Sequence, residues 1–358
     1  KIKSALPNIK ICAGGPHVSA MPVETMEEFP AFDFLVCGEA EGTIIQILDS
    51  LYDDKALRKI KGVFMRGSLL PTWNYVYDLD SLPFPAWEEF KLEKYGGLYP
   101  HRSFRELPML GQRGCPYKCN FCMRASGDDL RMRSVDSVIG EIEHNIESFG
   151  CTSIAFLDET FAVNRKWTKE LFEKIKKRGI DKKISYGCST RVSHKTDELF
   201  KNLRDSGCYY IFFGLESADD EVMKITGKAI TIDNMKQSVK WCKKSGIIPV
   251  GAFIIGLPGD TDKSVYKAID LGSELDLWSI TFPIAVPFPG TEMRRMAVAK
   301  ELGLKILSND WDQYGKQEGG VMESLDLPFS RRKELQDIAY TRHPKKNLDH
   351  YIKTRLSM

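Results

Sequence analysis

The sequence predicts an α/β protein made of a parallel β/α barrel and, before it, part of a doubly wound sheet domain. Short apolar runs typical of buried strands alternate with helix patterns along most of the chain. Between residues 101 and 292 this alternation gives six successive strands. Repeated strand-helix units favour parallel strands joined by right-handed crossovers, which is the arrangement of a parallel barrel.

Composition limits the classes of function that fit the chain. Of 358 residues, 42% are hydrophobic and 28% are charged, as in ordinary globular proteins. The net charge of +2 gives no broad basic field, so nucleic acid is not expected as the main partner. No apolar run reaches the roughly 18 residues that span a bilayer, which predicts a soluble, cytoplasmic protein. Because the chain begins at Lys1 inside a strand-loop pattern, we expect a fragment of a longer protein.

Residues 1–73 are expected to form the end of the doubly wound domain. The predicted elements are strands at 9–13 and 33–37, helices at 23–29 and 44–51, and a hairpin at 63–70. The second helix pattern places several apolar residues on one face, namely Ile44, Ile45, Ile47, Leu48 and Leu51.

The first predicted strand ends in Gly14 and Gly15. Ligands of doubly wound sheets bind at the carboxyl ends of strands, where glycine lets the backbone come close. A tight turn is the simpler interpretation of such a pair when it is taken alone.

Residues 74–100 are predicted to link the two units. The segment is rich in proline and aromatic residues, whereas flexible linkers are rich in glycine and serine. We therefore expect it to pack between the units and to dock them. Residues 293–358 form a C-terminal extension that we expect to cover the barrel.

The barrel is assigned to residues 101–292. Its six strands are predicted at 108–112, 153–157, 184–189, 209–214, 249–255 and 279–285. Helix patterns with the i, i+3, i+4 spacing lie between them, as for Ile139, Ile142 and Ile146. In barrels of this type the active site lies at the carboxyl ends of the strands.

The loop after the first barrel strand carries Cys115, Cys119 and Cys122 at a C-x3-C-x2-C spacing. Three thiolates so close together can hold three irons of a [4Fe-4S] cluster, which normally has four cysteines. The fourth iron then stays open to a small molecule. Zinc fits less well, because no second cysteine pair accompanies the triplet and the next histidine is His144. Nine scattered cysteines without a secretory signal do not suggest disulfides.

This motif, with Phe121 before its last cysteine, resembles the signature of the radical S-adenosylmethionine (SAM) superfamily. The resemblance extends over residues 107–291 and implies a partial, six-unit barrel that binds a [4Fe-4S] cluster and SAM. Members of this family also need a one-electron reductase, such as flavodoxin or ferredoxin.

The runs at 14–18 and 36–42 resemble the second half of the Rossmann-like, cobalamin-binding domain that precedes many radical SAM barrels. In that family the glycine pair, here Gly14 and Gly15, lies along the nucleotide tail of cobalamin. The D-x-H-x-x-G motif of the first half is absent from this sequence. The resemblance implies cobalamin as a cofactor of the full-length protein.

The second barrel strand is followed by Asp158 and Glu159. By resemblance, Glu159 is expected to bind the ammonium group of SAM, with Asp158 as its neighbour. The alternative is that both acids cap the next helix, near Asn164.

The third and fourth strands end in Ser189 and Arg191, and in Glu216 and Ser217. The resemblance implies that the first pair contacts the carboxylate or ribose of SAM and that the second pair contacts the ribose hydroxyls. A buried ion pair between Arg191 and Glu216 is an equally good interpretation, because a buried charge requires a partner.

The fifth strand leads to Gly256 and Pro258, in a segment similar to the one that contacts adenine in the family. The loop 287–291 resembles a P-x-P-G-T loop of cobalamin-dependent members and is expected to shape the substrate side.

The resemblance implies reductive cleavage of SAM to a 5'-deoxyadenosyl radical, most often for methylation of an unactivated carbon of a small molecule. A radical cyclase or rearrangement enzyme, an RNA-modifying enzyme and a non-catalytic metal-binding module are the alternatives. The substrate cannot be predicted, because substrate contacts come from loops that share no code.

Overall fold

A computed structural model describes residues 1–95, 105–192, 196–315, 320–348 and 350–351. The first unit is a three-stranded sheet of β1 (Cys12–Gly14), β2 (Phe34–Val36) and β3 (Val63–Phe64). The middle strand β2 is parallel to β1 and antiparallel to β3. Its helices are α1 (Ile2–Ala5), α2 (Pro16–Ala20), α3 (Pro22–Glu28), α4 (Ile44–Asp49) and α5 (Asp54–Leu57).

Both faces of this small sheet are covered. Phe34 and Val36 pack with Ile47 on one side, and Leu35 packs with Val18 on the other. Successive strand residues point to opposite faces, so a run that is apolar throughout is buried on both. The doubly wound arrangement predicted for this unit is what the structure contains.

Two predictions for this unit were wrong in detail. Residues 63–70 do not form a hairpin, because the strand Val63–Phe64 pairs with Phe34–Val36 instead. Helix α4 does not bury its whole apolar face: Ile47 is 2% exposed, whereas Ile45 and Leu48 are 64% and 57% exposed.

Within the described residues, the barrel contains six parallel strands, as predicted. The strands from residue 105 onward are β4 (Glu106–Met109), β5 (Gln112–Arg113), β6 (Arg131–Met132), β7 (Ser153–Phe156), β8 (Ser185–Thr190), β9 (Cys208–Glu216), β10 (Ile248–Phe253), β11 (Ser279–Thr281), β12 (Leu304–Ile306) and β13 (Met322–Ser324). The large sheet has the order β11-β10-β9-β8-β7-β4. Strands that follow one another as barrel units are therefore neighbours, and β4 and β11 lie at the two edges.

Helices cover the outside of this sheet. They are α6 (Val135–Phe149), α7 (Arg165–Lys177), α8 (Asp197–Asp205), α9 (Asp220–Ile225), α10 (Ile232–Lys244), α11 (Asp262–Leu275), α12 (Glu292–Val298) and α13 (Phe329–Arg342). Polar side chains cap their first turns: Ser134 for α6, Asn164 for α7 and Thr231 for α10. Ile154 and Phe156 of β7 belong to the large core between sheet and helices. No helix among the described residues is long and apolar enough to cross a membrane.

The first unit contacts the barrel at Gly290 and the C-terminal extension at Trp311. The rings of His17 and Trp311 lie 4.5 Å apart, and a Cβ on Gly290 would lie 3.0 Å from Ala20. Trp87 and Leu92 of the linker pack against the barrel core. The carboxyl ends of β1 and β2 are therefore directed toward the barrel. Residues 96–104, which include the end of the predicted linker, fall outside the described part.

The C-terminal extension packs on the barrel. Helix α13 lies against α11, and Tyr351 is buried with Tyr209 and Ile248 of the barrel strands. Strands β12 and β13 form an antiparallel pair beside α12.

Candidate cluster and SAM site

The cysteine loop is closed at its base by strands β5 and β6, which pair through Gln112 with Met132 and Arg113 with Arg131. Gly114 opens the loop with φ +86, and an added Cβ there would clash with the carbonyl of Asp129. Only glycine fits this position. The loop therefore leaves the first barrel strand in a fixed direction, toward the carboxyl ends of the strands.

The three cysteines of this loop are free thiols that differ in exposure: Cys119 is buried, Cys115 is half-buried and Cys122 is exposed. The amide of Cys122 donates to the carbonyl of Cys119 at 3.2 Å, which folds the last part of the motif into a tight turn. Among the described residues, no three His, Cys, Asp or Glu side chains are placed to share a single metal ion. A [4Fe-4S] cluster takes one thiolate per iron, so its three protein ligands need not converge on a single ion.

Asn120 anchors the middle of the motif. Its amide N–H donates to the carbonyl of Thr226 at 2.9 Å, its side chain donates to the carbonyl of Ile225 at 3.0 Å, and its carbonyl accepts from Met293. The end of α9 and the start of α12 thus fix the middle of the cysteine motif. Phe121 packs into the apolar cluster that contains Met293. Sequence analysis missed Asn120, since nothing marks it apart from its place inside the motif.

Burial and nearby negative charges favour the neutral form of two of these thiols. Although solvent reaches Cys122, the surrounding protein raises its pKa to about 11. Burial, and then the Glu159 carboxylate, also raise the pKa of Cys115. Without metal these thiols carry protons at neutral pH, and iron binding would displace them. Arg191 donates to the sulfur of Cys119 at 3.5 Å and lies 4.0 Å from the centre of the Tyr117 ring.

Glu159 lies beside the cysteine loop with its side chain exposed. One carboxylate oxygen accepts weakly from the amide of Ser126, at 3.4 Å. Burial among the site walls raises the pKa of Glu159. Its charge acts on both Cys115 and Cys122, so the carboxylate lies near the position expected for a cluster.

Asp158 points the other way. It is 2% exposed and accepts from the amide of Gly111 at 3.2 Å, while burial raises its pKa to about 7. The predicted place of Asp158 beside SAM does not fit this orientation. The alternative of helix capping is also wrong, because Asn164 caps α7 by accepting from the amide of Trp167 at 3.0 Å.

The predicted ion pair between Arg191 and Glu216 is not among those formed by the described residues. Glu216, in left-handed conformation with φ 66, instead binds Lys228 at 2.8 Å, and both side chains are about nine-tenths buried. Lys228 lies twelve residues after Glu216 in the chain. It closely follows Ile225 and Thr226, whose carbonyls accept hydrogen bonds from Asn120. No strand-end pattern marks Lys228, so sequence analysis missed it.

Of the other predicted SAM contacts, Ser189 is partly accessible, whereas Ser217 is buried and takes part in a hydrogen bond. Ser189 is half-buried on β8, next to Thr190, whose hydroxyl donates to the carbonyl of Phe161. The hydroxyl of Ser217 accepts from the amide of Asp219 at 3.2 Å, at the start of α9.

The glycine at the end of β10 serves internal packing. Gly256 has φ +87, and an added Cβ would lie 2.5 Å from the guanidinium of Arg332, which is fully buried. Asp260 accepts from the amides of Gly256 and Leu257 at 2.9 and 3.0 Å. Pro258 is buried in the same turn. The predicted adenine contact of Gly256 and Pro258 therefore has a competing structural explanation.

The glycine pair of the first unit lies at the carboxyl end of β1. Gly15 has φ +101, and an added Cβ would meet no atom within 4 Å, whereas one on Gly14 would lie 3.3 Å from the carbonyl of Val36. Space is therefore open at Gly15.

A chain of polar contacts joins the first unit to the cysteine loop. Both oxygens of Glu39 accept from Arg131, at 2.7 and 2.8 Å, and Arg131 also donates to the carbonyl of Ser126 at 2.7 Å. The amide of Ser126 contacts Glu159, as described above. The loop after β2 thus contacts the base of the cysteine loop.

Comparison with known proteins agrees with this arrangement. A family model described as the radical SAM superfamily matches residues 109–272. An uncharacterized methyltransferase of Pyrococcus horikoshii is 33% identical over 86% of this chain and 66% of its own length. The anaerobic magnesium-protoporphyrin IX monomethyl ester cyclase of Cereibacter sphaeroides is 28% identical over 78% of this chain and 47% of its own length. The chain thus spans about half to two thirds of the length of these relatives.

The fold also resembles a solved structure. The radical SAM methyltransferase TsrM from Kitasatospora setae, with cobalamin and a [4Fe-4S] cluster bound, superposes with a TM-score of 0.67. The match covers 93% of this chain and 65% of TsrM at 19% identity, so it concerns the fold.

Proposed function

Because the chain belongs to the radical SAM superfamily, we propose that it is part of an enzyme that cleaves SAM reductively at a [4Fe-4S] cluster. Cys115, Cys119 and Cys122 would be the cluster ligands. The observation that carries this proposal is the placement of the three free thiols on one anchored loop, with the Glu159 carboxylate beside them.

The bound cluster would supply one electron that breaks a carbon-sulfur bond of SAM, which gives methionine and a 5'-deoxyadenosyl radical. The protein has to hold SAM in place and keep water out. Glu159 is exposed toward the cysteines and can accept hydrogen bonds from the SAM ammonium group. We assign Ser189, Arg191, Glu216 and Ser217 to the rest of the SAM molecule, with Lys228 holding Glu216 in position. Phe121, Gly256 and Pro258 remain expected contacts.

We propose methylation of an unactivated carbon of a small molecule as the reaction, with cobalamin as methyl carrier in the full-length protein. The relative from Pyrococcus horikoshii is named a methyltransferase, and TsrM is a methyltransferase with bound cobalamin. Support from this chain comes from β1 and β2, whose carboxyl ends are directed toward the barrel, with open space at Gly15. Cobalamin would lie against Gly14 and Gly15.

Ring formation is the second candidate, because the relative from Cereibacter sphaeroides is a cyclase. Product analysis separates the two. If SAM supplies the transferred methyl group, S-adenosylhomocysteine should accumulate together with 5'-deoxyadenosine and methionine. A cyclase should form 5'-deoxyadenosine and methionine without S-adenosylhomocysteine.

The same proposal includes the division of the chain into units at 1–73, 74–100, 101–292 and 293–358. It also includes a one-electron reductase as partner, such as flavodoxin or ferredoxin, and a cytoplasmic location.

The experiment that tests the proposed function is replacement of Cys119 by Ala in the anaerobically reconstituted protein. Loss of cluster iron and of 5'-deoxyadenosine formation is expected. Retention of both would rule out the assigned ligand set.

A further inference from the structure

A cavity of about 820 Å³ lies along the edge strand β4 of the barrel. We call it the side cavity. Its walls are Trp87, Phe90 and Tyr95 from the linker, Pro108 from β4, and Ala155 and Leu157 at β7. Small-molecule sites usually measure about 300 to 1,000 Å³ and are lined mainly by apolar and aromatic side chains. The side cavity has this size and this lining.

One wall of the side cavity leads to the proposed SAM site. Ala155 lies on β7, and Leu157 directly follows the end of that strand at Phe156; both line the side cavity. Glu159 comes two residues further along the chain. Ile154 and Phe156 point to the other side of β7, where they are buried under the helices. Leu157 is 50% exposed and is therefore an uncovered apolar surface. Two residues of chain span at most about 7 Å, so the backbone of Glu159 lies within that distance of Leu157 at the cavity wall.

The opposite end of the side cavity is polar. Glu106 accepts from the hydroxyl of Tyr209 at 2.9 Å and from the hydroxyl of Ser153 at 3.2 Å. Arg105 and Glu93 line the same cavity. Glu106 lies opposite Ser153 in the strand register, and Ser153 is four residues before Leu157. The polar end and the Leu157 end of the side cavity are therefore about 13 Å apart.

We propose that the side cavity is the substrate pocket and that it takes a flat, mainly apolar ring system with a polar substituent. The reacting carbon lies at the Leu157 end, toward Glu159, and the substituent lies at the polar end near Glu106. Aromatic walls favour ring systems, since offset-stacked and edge-to-face contacts add to simple burial of apolar area. This inference rests on the proposed function and adds the class of substrate to it.

Pyrenebutyrate, a flat apolar ring system with a carboxylate tail, is a suitable probe, and equilibrium dialysis against the reconstituted protein measures its affinity. Ala155→Phe should fill the cavity and weaken binding at least tenfold. Phe90→Ala should weaken it about threefold to tenfold by removing one aromatic wall. Phe90 is 51% exposed, so this variant is expected to fold. Phe29→Ala is the matched control, since Phe29 is 43% exposed and is not among the residues that line the side cavity.

The cluster signal with and without SAM is recorded for every variant. The inference predicts weaker probe binding in Ala155→Phe and Phe90→Ala, with an unchanged cluster signal and unchanged probe binding in the control. No saturable binding of the probe to the unmodified protein would overturn it, as would unchanged affinity in both cavity variants. Failure of the proposed function would look different, because the unmodified protein would then lack a cluster that responds to SAM.

Discussion

The contact between the first unit and the cysteine loop should be among the most sensitive points of the chain, and Glu39→Gln tests it. Glu39 accepts from two guanidinium nitrogens of Arg131 and from the amide of Val76 at 2.7 Å, and Arg113 lies 3.3 Å away. The side chains of Glu39 and Arg131 are only 11% and 5% exposed. Glutamine keeps the shape but removes the charge, so the buried guanidinium of Arg131 loses its counter-ion.

Removal of one partner of a buried ion pair costs about 3 to 5 kcal/mol. We expect the lower end, about 3 kcal/mol, because Arg131 keeps hydrogen bonds to the carbonyls of Val76 and Ser126. Such a loss is a large share of the roughly 5 to 15 kcal/mol that stabilises a typical domain. Urea unfolding of the cluster-free protein, followed by circular dichroism, measures it.

Glu41→Gln is the matched control. Glu41 forms one ion pair, with Arg113 at 2.7 Å, and its side chain is 43% exposed. An exposed pair of this kind contributes about 0 to 1 kcal/mol. The double variant of Glu39→Gln with Arg131→Met should recover part of the lost stability, because no unpaired charge is left. If Glu39→Gln were as stable as the control, the ion pair would not hold the two units together as argued.

Acidification should remove the same stabilisation. Burial alone would raise the pKa of Glu39, but the hydrogen bonds from Arg131 and Val76 and the charge of Arg113 outweigh it, so the pKa is lowered on folding. When folding lowers the pKa of a carboxylate, its full contribution to stability is present at pH values above its pKa in the unfolded chain, which is about 4.3 for Glu. The contribution is lost as the pH falls through the pKa of the folded state. The unmodified protein should therefore lose more stability below about pH 4 than Glu39→Gln does.

Three further outcomes are expected. Glu159→Gln should weaken SAM binding about tenfold to a hundredfold, because a charge-assisted hydrogen bond contributes roughly 1.5 to 3 kcal/mol; unchanged affinity in calorimetry would reject this role. Gly114→Ala should force the loop open and so prevent cluster incorporation. Gly179→Ala is the control: Gly179 also has a positive φ, +65, but an added Cβ would meet no atom within 4 Å, so this variant should still incorporate a cluster. Iron analysis compares the two variants. In a protein that also carries the first half of the cobalamin domain, Gly15→Leu should abolish cobalamin absorbance and leave the iron-sulfur signal intact; unaffected uptake would place cobalamin elsewhere.

The barrel could be predicted because its strands are local patterns. The runs of the four inner strands are apolar enough to be buried on both faces, and the helix after each strand has its own period. The first strand was placed too late, at 108–112 instead of Glu106–Met109. Gln112 and Arg113 belong instead to a hairpin that pairs with Arg131 and Met132 across the cysteine loop. Such pairing depends on residues far along the chain, which periodicity does not detect.

The site was predictable where the chemistry lies in one short motif and not where it depends on contacts between distant segments. The cysteine spacing and the acid after the second strand are visible in the sequence, and Glu159 lies beside the cysteines in the structure. The partner of Glu216 turned out to be Lys228, and the neighbour of Gly256 is Arg332, 76 residues later. Neither contact has a signal in spacing or composition, because both arise from packing between separate segments of the folded chain.

The central claim is that the three cysteines hold a [4Fe-4S] cluster whose open iron binds SAM. Electron paramagnetic resonance of the anaerobically reconstituted, reduced protein, recorded before and after addition of SAM, tests it most directly. The account predicts a brown protein whose reduced cluster signal changes when SAM binds. A colourless protein that holds one zinc ion, or a cluster signal that SAM leaves unchanged, would contradict it.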